Sequence, residues 1–270
     1  MTQSSHPHLL LTNDDGPQSL GLRALVAELR SHYELTICVP SKPRSGISKA
    51  VTFDKPLRFG EGSMIDGQRV IETSGTPADA VTWCRTYHPH VKLVVSGVNM
   101  GLNVSLHSML TSGTVGAAIE AALWSIPAIA FSIETSSENW FFPTHTDANV
   151  TEAARQAHRL IDFVLEHGLP PGADFLNVNF PGSLDSSTPV DIARPTRIRF
   201  SNRLQQRADP QRVQYFWVKG KKVQRVPQTS DVYAATTRLH VVITPVSIAL
   251  ADEALVETTR RFLQPLIKRP

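Results

Sequence analysis

The feature that most constrains the fold is a regular alternation of short apolar runs with amphipathic stretches over the first two-thirds of the chain. Apolar runs such as Leu9–Thr12 and Ala128–Ile133 are continuous, as expected for strands that are buried on both faces of a parallel sheet. Stretches between them, such as Gly21–Ser31, have the apolar spacing of helices. This alternation predicts an open, doubly wound α/β domain.

The pattern can be divided into elements and two parts. Strands are predicted at Leu9–Thr12, Leu35–Val39, Lys92–Ser96, Ala128–Ile133 and Phe175–Val178, and helices at Gly21–Ser31, Thr76–Tyr87, Thr114–Trp124 and Asp147–His167. The regular alternation stops near Pro181. We therefore expect an α/β domain over 1–182 and a smaller part over 183–270. The smaller part is predicted to contain an antiparallel hairpin (Val213–Val218 and Lys222–Val226, joined through Gly220), a strand at Leu239–Thr244 and a terminal helix at Asp252–Ile267.

Composition excludes several classes of protein. With 41% hydrophobic and 19% charged residues, the 270-residue chain is globular and not disordered. The 27 basic and 24 acidic residues include no long basic run, so the sequence shows no electrostatic footprint of nucleic-acid binding, and no nucleic-acid duplex is expected as a partner. No window approaches the roughly 20 apolar residues of a membrane helix. Cys38 and Cys84 form no CxxC motif, and the N-terminus lacks a charged n-region, so a cytoplasmic protein is expected.

The densest chemical signal lies at the end of the first predicted strand. Asp14 and Asp15 are adjacent there and are followed by Gly16, which can take a tight turn. Where the backbone bends, both carboxylates can converge on one cation, and such oxygen ligands suit Mg²⁺, Mn²⁺ or Ca²⁺. The same residues also suit a simple Asx-turn, so this motif alone leaves both interpretations open.

Two further polar clusters follow strands. In Pro40–Ser48, Arg44 offers several donors, Ser45 a hydroxyl and Gly46 close access to the backbone. In isolation, this cluster also suits an ordinary polar connection. In Val94–Asn103 a strand runs directly into glycine and asparagine residues, whose amide oxygens can bind a hard cation.

Two Ser-Gly-Thr triplets each open a predicted helix. The first, Ser74–Thr76, is explained as a helix start, because a threonine cap is followed by proline and by aspartate three residues later. The second, Ser112–Thr114, lacks that capping box and suits either a cap or a phosphate site. Because the strand ends of an open parallel sheet share one rim, the motifs together predict phosphoryl transfer or phosphate-ester hydrolysis.

The segments LLLTNDDG, PRSGIS, SGTPAD, VVSGVNMGLN and SGTVGAA, in this order and spacing, resemble the SurE family of stationary-phase survival proteins. The similarity covers residues 8–182 and extends more loosely to Thr229–Asp231 and Val242–Pro245. It implies a Rossmann-like, mostly parallel α/β domain followed by a part with an extended hairpin. It further implies a metal-dependent 5′-nucleotidase that acts on nucleoside monophosphates and forms homodimers or homotetramers, partly by exchange of C-terminal segments.

The resemblance also implies roles for particular residues. One divalent cation per subunit, Mg²⁺ or Mn²⁺ with Ca²⁺ as a substitute in crystals, would be held by Asp14, Asp15, Ser45 and Asn99. The two aspartates would be the catalytic residues. The phosphate and substrate pocket would be lined by Asn13, Gly46, Ser48, Gly97, Asn103, Ser112, Gly113 and Thr114.

One loop departs from the family. Family members have Gly-Asp and a tyrosine before the second Ser-Gly-Thr triplet, whereas this chain has Val104–Thr111, which brings His107 beside the pocket as a candidate general acid. The difference bears on substrate preference. It leaves two alternatives open, a weakly catalytic nucleotide-sensing module and a phosphatase that acts mainly on polyphosphate or other esters. The sequence also leaves open whether water or an aspartate attacks the phosphorus.

Overall fold

The computed structural model describes residues 6–135, 148–223 and 225–267. Its strands are β1 (His8–Thr12), β2 (Glu34–Pro40), β3 (Phe59–Ile65), β4 (Gln68–Thr73), β5 (Leu93–Met100), β6 (Ala128–Ile133), β7 (Phe175–Phe180), β8 (Val190–Ile192), β9 (Phe200–Ala208), β10 (Gln214–Lys222) and β11 (Val241–Val246). Its helices are α1 (Leu20–Leu29), α2 (Pro77–Tyr87), α3 (Leu106–Thr111), α4 (Gly113–Leu123), α5 (Val150–His167), the single turn α6 (Asp231–Tyr233) with a π-helical extension (Ala234–Arg238), and α7 (Glu253–Ile267). The predicted helix start at Asp147 lies outside the described residues. So does the aromatic cluster Trp140–Phe142, whose sequence suits an interface contact, a cover of the core or a base-stacking platform.

Nine of the described strands form one sheet in the order β3-β4-β2-β1-β5-β6-β7-β11-β8. The six strands from β4 to β7 in this order are parallel to their neighbours. Strand β3 is antiparallel to β4, and β11 is antiparallel to β7 and parallel to β8. The predicted mostly parallel α/β sheet is confirmed. Two strands that follow residue 182, β8 and β11, belong to this same sheet.

Helices cover both faces of the sheet, as the doubly wound pattern requires. Apolar residues of α1 and α5 pack on one face, and those of α2 and α4 pack on the other. A third cluster joins the chain after β5 to the C-terminal part through Leu102, Val104, Val232 and Val242. None of the described helices combines the length and the apolar character needed to span a bilayer.

The strand order places a crevice between β1 and β5. After β1 the chain adds β2 on one side, and β5 later returns to pair with β1 on the other side. Ligands of open α/β sheets bind at such a switch point, outside the carboxyl ends of the strands. The aspartate pair follows β1 and Asn99 lies near the end of β5, so both motifs meet at this crevice.

The C-terminal hairpin is present, and the predicted strand Val213–Val218 falls within β10 except for its first residue, but the predicted partner Lys222–Val226 is wrong. Strand β9 pairs with β10, and Gly220 lies inside β10 opposite Asn202. The turn lies between Asp209 and Val213: the N–H of Val213 donates to the Asp209 carboxylate, and Arg212 has a φ of +67°. Gly220 and the dipeptide Asp209–Pro210 are both turn signals in the sequence, and the chain turns at the dipeptide.

Two elements were not predicted. The β3–β4 hairpin turns at Asp66 and Gly67, both with positive φ. This Asp-Gly pair is a strong hairpin signal. The strands beside it lack the apolar pattern by which buried strands are predicted. The short helix α3 occupies most of the segment expected to be a loop. Ser105 caps it by accepting a hydrogen bond from the N–H of Ser108. The terminal helix and the strand at β11 are confirmed within two residues.

Candidate active site

The carboxylate of Asp14 lies on the N-terminus of α4. Asp14 is buried, and its Oδ1 accepts a hydrogen bond from the hydroxyl of Thr114. Burial raises the pKa of Asp14, whereas the Thr114 hydroxyl and the N–H groups of Gly113 and Thr114 oppose the rise. A Cβ at Gly113 would lie 2.7 Å from the Cβ of Asp14, so only glycine permits this approach. The second Ser-Gly-Thr triplet is therefore in direct contact with the aspartate pair.

Asp15 is held differently from its neighbour. Its carboxylate accepts a hydrogen bond from the N–H of Met100 at the end of β5, while its Oδ2 is buried and has no hydrogen-bond partner among the described residues. Burial and the negative charge of Asp14 together raise the pKa of Asp15 to about 7. The buried carboxylate of Asp14 and the half-buried carboxylate of Asp15 thus lie side by side at the crevice between β1 and β5.

A tight turn presents the aspartate pair. The side chain of Asn13 bridges the turn: its Oδ1 accepts from the N–H of Gly16, and its Nδ2 donates to the carbonyl of Gly16, both at 3.0 Å. Because both ends of this amide are used, Asn13 shapes the turn from within. The loop after β2 joins the same turn through the N–H of Arg44, which donates to the carbonyl of Asp14 at 2.6 Å. The exposed Ser45 therefore follows directly after the residue that is bonded to Asp14.

The guanidinium of Arg44 is directed away from the aspartates. Its Nη2 donates to the carbonyl of Ser74 at 2.8 Å, and its Nε donates to the carbonyl of Gly75 at 3.2 Å. The donors that the sequence offered for an anion therefore tie the loop to the start of α2. The first Ser-Gly-Thr triplet is a helix start, as predicted: Thr76 and Asp79 form a capping box.

The end of β5 combines a close packing contact with the third motif. A Cβ at Gly97 would lie 2.3 Å from the carbonyl oxygen of Phe131, so β5 can approach β6 at this point only with glycine. Two residues later, the Nδ2 of Asn99 donates to the carbonyl of Gly101 at 2.6 Å. This bond orients the amide through its nitrogen and leaves Oδ1 as the atom that can accept.

Asn103 is fixed by two buried asparagines of β7. Asn179 Oδ1 accepts from the N–H of Asn103 at 2.8 Å, and Asn177 Nδ2 donates to the carbonyl of Asn103 at 2.9 Å. The Asn103 side chain itself donates to Ser132 at 2.9 Å. The predicted pocket residue is thus held in a buried polar network. Sequence reasoning missed Asn177 and Asn179, although asparagines at alternate positions of an apolar strand were a visible signal.

The remaining predicted residues line the entry to α4. Ser48 donates its hydroxyl to the carbonyl of Leu110 and its N–H to that of Thr111, and it has a φ of +59°. Ser112 is the N-cap of α4, because its hydroxyl accepts from the N–H of Val115 at 3.2 Å. Gly46 has open space around it. His107 lies on α3 and is exposed.

The donor set of this site fits a divalent cation. Neither aspartate forms an ion pair with a lysine or arginine among the described residues, so the charges of these two carboxylates, one buried and one half-buried, are uncompensated. The unpartnered Oδ2 of Asp15 provides a ready ligand atom. No group of three His, Cys, Asp or Glu side chains in the described ranges could hold a metal, so neutral oxygens would complete the coordination. Hydroxyl and amide oxygens of that kind suit Mg²⁺ or Mn²⁺.

The fold and the site together define a class. This chain is a doubly wound α/β protein whose candidate active site lies at the switch point of the sheet, with paired carboxylates against a helix N-terminus.

Comparison with known proteins identifies the family within that class. Residues 9–205 match the family described as survival protein SurE. A 5′-nucleotidase SurE from Hyperthermus butylicus is 37% identical over 97% of this chain and 94% of its own length. One from Methanocella arvoryzae is 37% identical over 93% of this chain and 96% of its own. A crystal structure of the SurE protein from Aquifex aeolicus has a TM-score of 0.77 at 26% identity and covers 95% of this chain and 99% of that one. The chain belongs to the SurE family.

Proposed function

We propose that this chain is a metal-dependent phosphomonoesterase that hydrolyses nucleoside 5′-monophosphates to nucleoside and phosphate. The observation that carries the proposal is the pair of uncompensated carboxylates, buried Asp14 and half-buried Asp15, at the switch point of the sheet. Curated relatives at 37% identity bear the name 5′-nucleotidase SurE, which agrees with this activity.

Asp14, Asp15, Ser45 and the Oδ1 of Asn99 would hold one Mg²⁺ or Mn²⁺ ion per subunit. When bound, the cation supplies charge neutralisation and polarises the phosphoryl group. The chain's own residues prepare for it: the N-terminus of α4 orients Asp14, and the N–H of Met100 orients Asp15. Carboxylates held in this way retain little conformational freedom to lose when the cation binds.

The residues predicted to line the pocket fall into two groups. Gly97 and Gly113 allow close backbone approach, and Asn13, Asn103 and Ser112 fix the backbone through hydrogen bonds within the protein. Gly46 lies on the loop beside the aspartates, where its exposed backbone could reach a phosphate. Ser48 lies on the same loop, with its N–H and hydroxyl bonded to the carbonyls of Thr111 and Leu110. We propose that this loop and the start of α4 face the phosphate, with the nucleoside outside them.

The proposal is tested by phosphate release from nucleoside 5′- and 3′-monophosphates, inorganic polyphosphate and p-nitrophenyl phosphate in Mg²⁺, Mn²⁺ or EDTA. We expect metal-dependent release that favours the 5′-monophosphates. Binding of nucleotide without any release would support the sensing module instead. Faster release from polyphosphate than from every nucleotide would make the chain mainly a polyphosphatase.

We further propose a homodimer or homotetramer in which the part over 183–270 exchanges segments between copies. Large apolar side chains of α7 support this assembly, since Leu255, Phe262 and Leu266 are 53%, 81% and 62% exposed. The cytoplasm is the compartment we propose, because Cys38 and Cys84 are both unbridged. Sedimentation of the full chain tests the assembly, and a monomer at micromolar concentration would contradict it.

A further inference from the structure

The hairpin of β9 and β10 lies in the most basic part of the chain. Residues 194–225 contain ten of the 27 Arg and Lys residues and one of the 24 Asp and Glu residues, namely Asp209. Because the formal net charge of the whole chain is only +3, the rest of the chain is net negative. The near-neutral total therefore conceals a strongly basic element.

Strand pairing gathers cations that are dispersed in the sequence. Arg203 lies opposite Lys219, and Arg207 lies opposite Tyr215. The intervening pair on the same side is Gln205 with Trp217, since residues two apart along a strand share a face. We call the side formed by Arg203, Arg207, Tyr215, Trp217, Lys219 and Lys221 the basic–aromatic face. This clustering explains why the sequence shows no long basic run.

The opposite face of the same hairpin has a different character. Leu204 lies opposite Val218, and Gln206 lies opposite Phe216. Leu204, Phe216 and Val218 are 69%, 53% and 66% exposed. An apolar face of this kind suits the assembly of copies proposed above. The basic–aromatic face needs a partner of another kind.

The basic–aromatic face has the charge of a polyanion site. None of the ion pairs formed between described residues includes Arg203, Arg207 or Lys219. Arg203 and Lys219 are directly opposite each other, an arrangement of like charges that disfavours strand pairing. A bound polyanion would relieve this repulsion. An identical face on a second copy would increase it.

The two aromatic rings on this face indicate which kind of polyanion it suits. Tyr215 and Trp217 are 40% and 53% exposed and lie two residues apart, about 6.8 Å along the strand. That spacing admits one base between two rings, since stacked bases are about 3.4 Å apart. Inorganic polyphosphate has no group that stacks on a ring. In a duplex the bases are already stacked within the helix.

We propose that the basic–aromatic face of the β9–β10 hairpin binds single-stranded nucleic acid. The rings of Tyr215 and Trp217 stack with bases, and Arg203, Arg207 and Lys219 contact phosphates. This surface is separate in sequence from the aspartate site, and its function does not depend on the proposed hydrolysis of nucleotides.

The test uses the full chain and a fluorescein-labelled 20-nucleotide oligouridine, with binding measured by fluorescence anisotropy. Trp217→Ala is compared with Phe216→Ala, because these neighbours are each 53% exposed but lie on opposite faces. We expect Trp217→Ala to weaken binding about tenfold. Phe216→Ala should leave binding within about twofold of the wild type. Equal binding by the two variants would overturn the proposal.

A second comparison tests the charges. Arg203→Gln/Lys219→Gln is compared with Arg30→Gln/Lys92→Gln, which removes the same charge from exposed positions outside the hairpin. The hairpin pair should reduce the slope of log affinity against log salt by about 1.4, and the control pair should not. Neither pair should change phosphate release from a nucleoside 5′-monophosphate, so failure here is distinct from failure of the proposed hydrolysis.

Three outcomes would contradict the proposal in identifiable ways. If a 20-base-pair RNA duplex binds as tightly as the single strand, the face recognises only charge. If inorganic polyphosphate displaces the oligonucleotide from wild type and Trp217→Ala equally, the rings are not used. If Arg203→Gln/Lys219→Gln alters the sedimentation coefficient and leaves binding intact, the face is a contact between copies.

Discussion

The hydroxyl of Thr114, in the first turn of α4, donates a hydrogen bond to Oδ1 of Asp14, which lies 100 residues earlier in the chain. This bond joins the chain after β1 to the helix that follows β5 and α3. It holds the buried carboxylate of Asp14 in the orientation that the helix N-terminus favours. A ligand set in which Asp14 is already oriented is what a tight cation site requires.

Removal of this bond should weaken the binding of metal. Thr114→Val keeps the shape of the side chain and deletes the hydroxyl donor. We expect the affinity for Mn²⁺ to fall about 10- to 100-fold, as is usual when a group that orients a ligand is removed. Isothermal titration measures it directly, and Thr114→Ser serves as the control that restores the donor. Wild-type affinity in Thr114→Val would refute the orienting role.

In the metal-free protein, Asp15 should make stability depend on pH. Its pKa is raised from 3.8 to about 7 on folding, so the folded state binds the additional proton. Stability is therefore highest at low pH and falls as pH rises from about 4 to 7. Asp15→Asn removes this effect, and at pH 8 in EDTA its free energy of unfolding should exceed that of wild type by about 2–4 kcal/mol.

Urea unfolding in EDTA at pH 5 and pH 8 measures the difference. The advantage of Asp15→Asn should be about half as large at pH 5, where the folded carboxyl is already protonated. Addition of Mn²⁺ should stabilise the wild type and leave the variant unchanged. An advantage that is equal at both pH values would contradict the origin assigned to it.

The ion pair of Lys49 with Glu120 should anchor the loop that carries Ser45. Lys49 Nζ lies 2.5 Å from Oε2 of Glu120, whose Oε1 accepts hydrogen bonds from Thr82 and Trp124. Glu120 is buried on α4. Lys49→Met leaves that carboxylate without its cation and should lower the free energy of unfolding by about 1–3 kcal/mol. This cost is smaller than for a fully buried ion pair because Lys49 is 30% exposed and solvent screens its charge.

A double-mutant cycle in urea tests the pairing. Lys49→Met/Glu120→Gln should recover part of the stability that Lys49→Met loses, because the buried charge is removed. If the two substitutions are simply additive, the ion pair makes no contribution of its own.

Asn179 should be required for both stability and turnover. Asn179→Ala removes the acceptor of the buried Asn103 N–H, which should cost about 1–3 kcal/mol of unfolding free energy. Asn202→Ala, at an exposed position of the hairpin, is the matched control and should cost less than about 0.5 kcal/mol. Urea unfolding and phosphate release are measured together. A control-like result for Asn179→Ala would show that the N–H finds another acceptor.

The α/β core was predictable because its signals are local. Continuous apolar strands and caps such as the Thr76–Asp79 box are visible in a few adjacent residues. The C-terminal hairpin was misplaced because a glycine and an Asp-Pro pair are both turn signals, and only pairing with β9 decides between them. Joining β8 and β11 to the main sheet depends on contacts distant in sequence.

For the site, the positions of the motifs could be predicted, but the directions of their side chains and N–H groups could not. The sequence indicated that Asp14 and the start of α4 belong together. It did not indicate that the helix N–H groups face the carboxylate, or that Arg44 turns to the carbonyls of Ser74 and Gly75. Side-chain direction depends on which buried donors and acceptors remain unpaired after the sheet has formed. The polar network around Asn103 likewise depends on these pairings and could not be predicted from the sequence.

The central claim is that Asp14 and Asp15 hold the cation on which hydrolysis depends. Its most direct test is phosphate release from a nucleoside 5′-monophosphate by wild type and by Asp14→Asn, each in Mn²⁺ and in EDTA. We predict release by the wild type in Mn²⁺ alone, and a rate at least about a hundredfold lower in the variant. Undiminished release by Asp14→Asn, or by the wild type in EDTA, would contradict the claim.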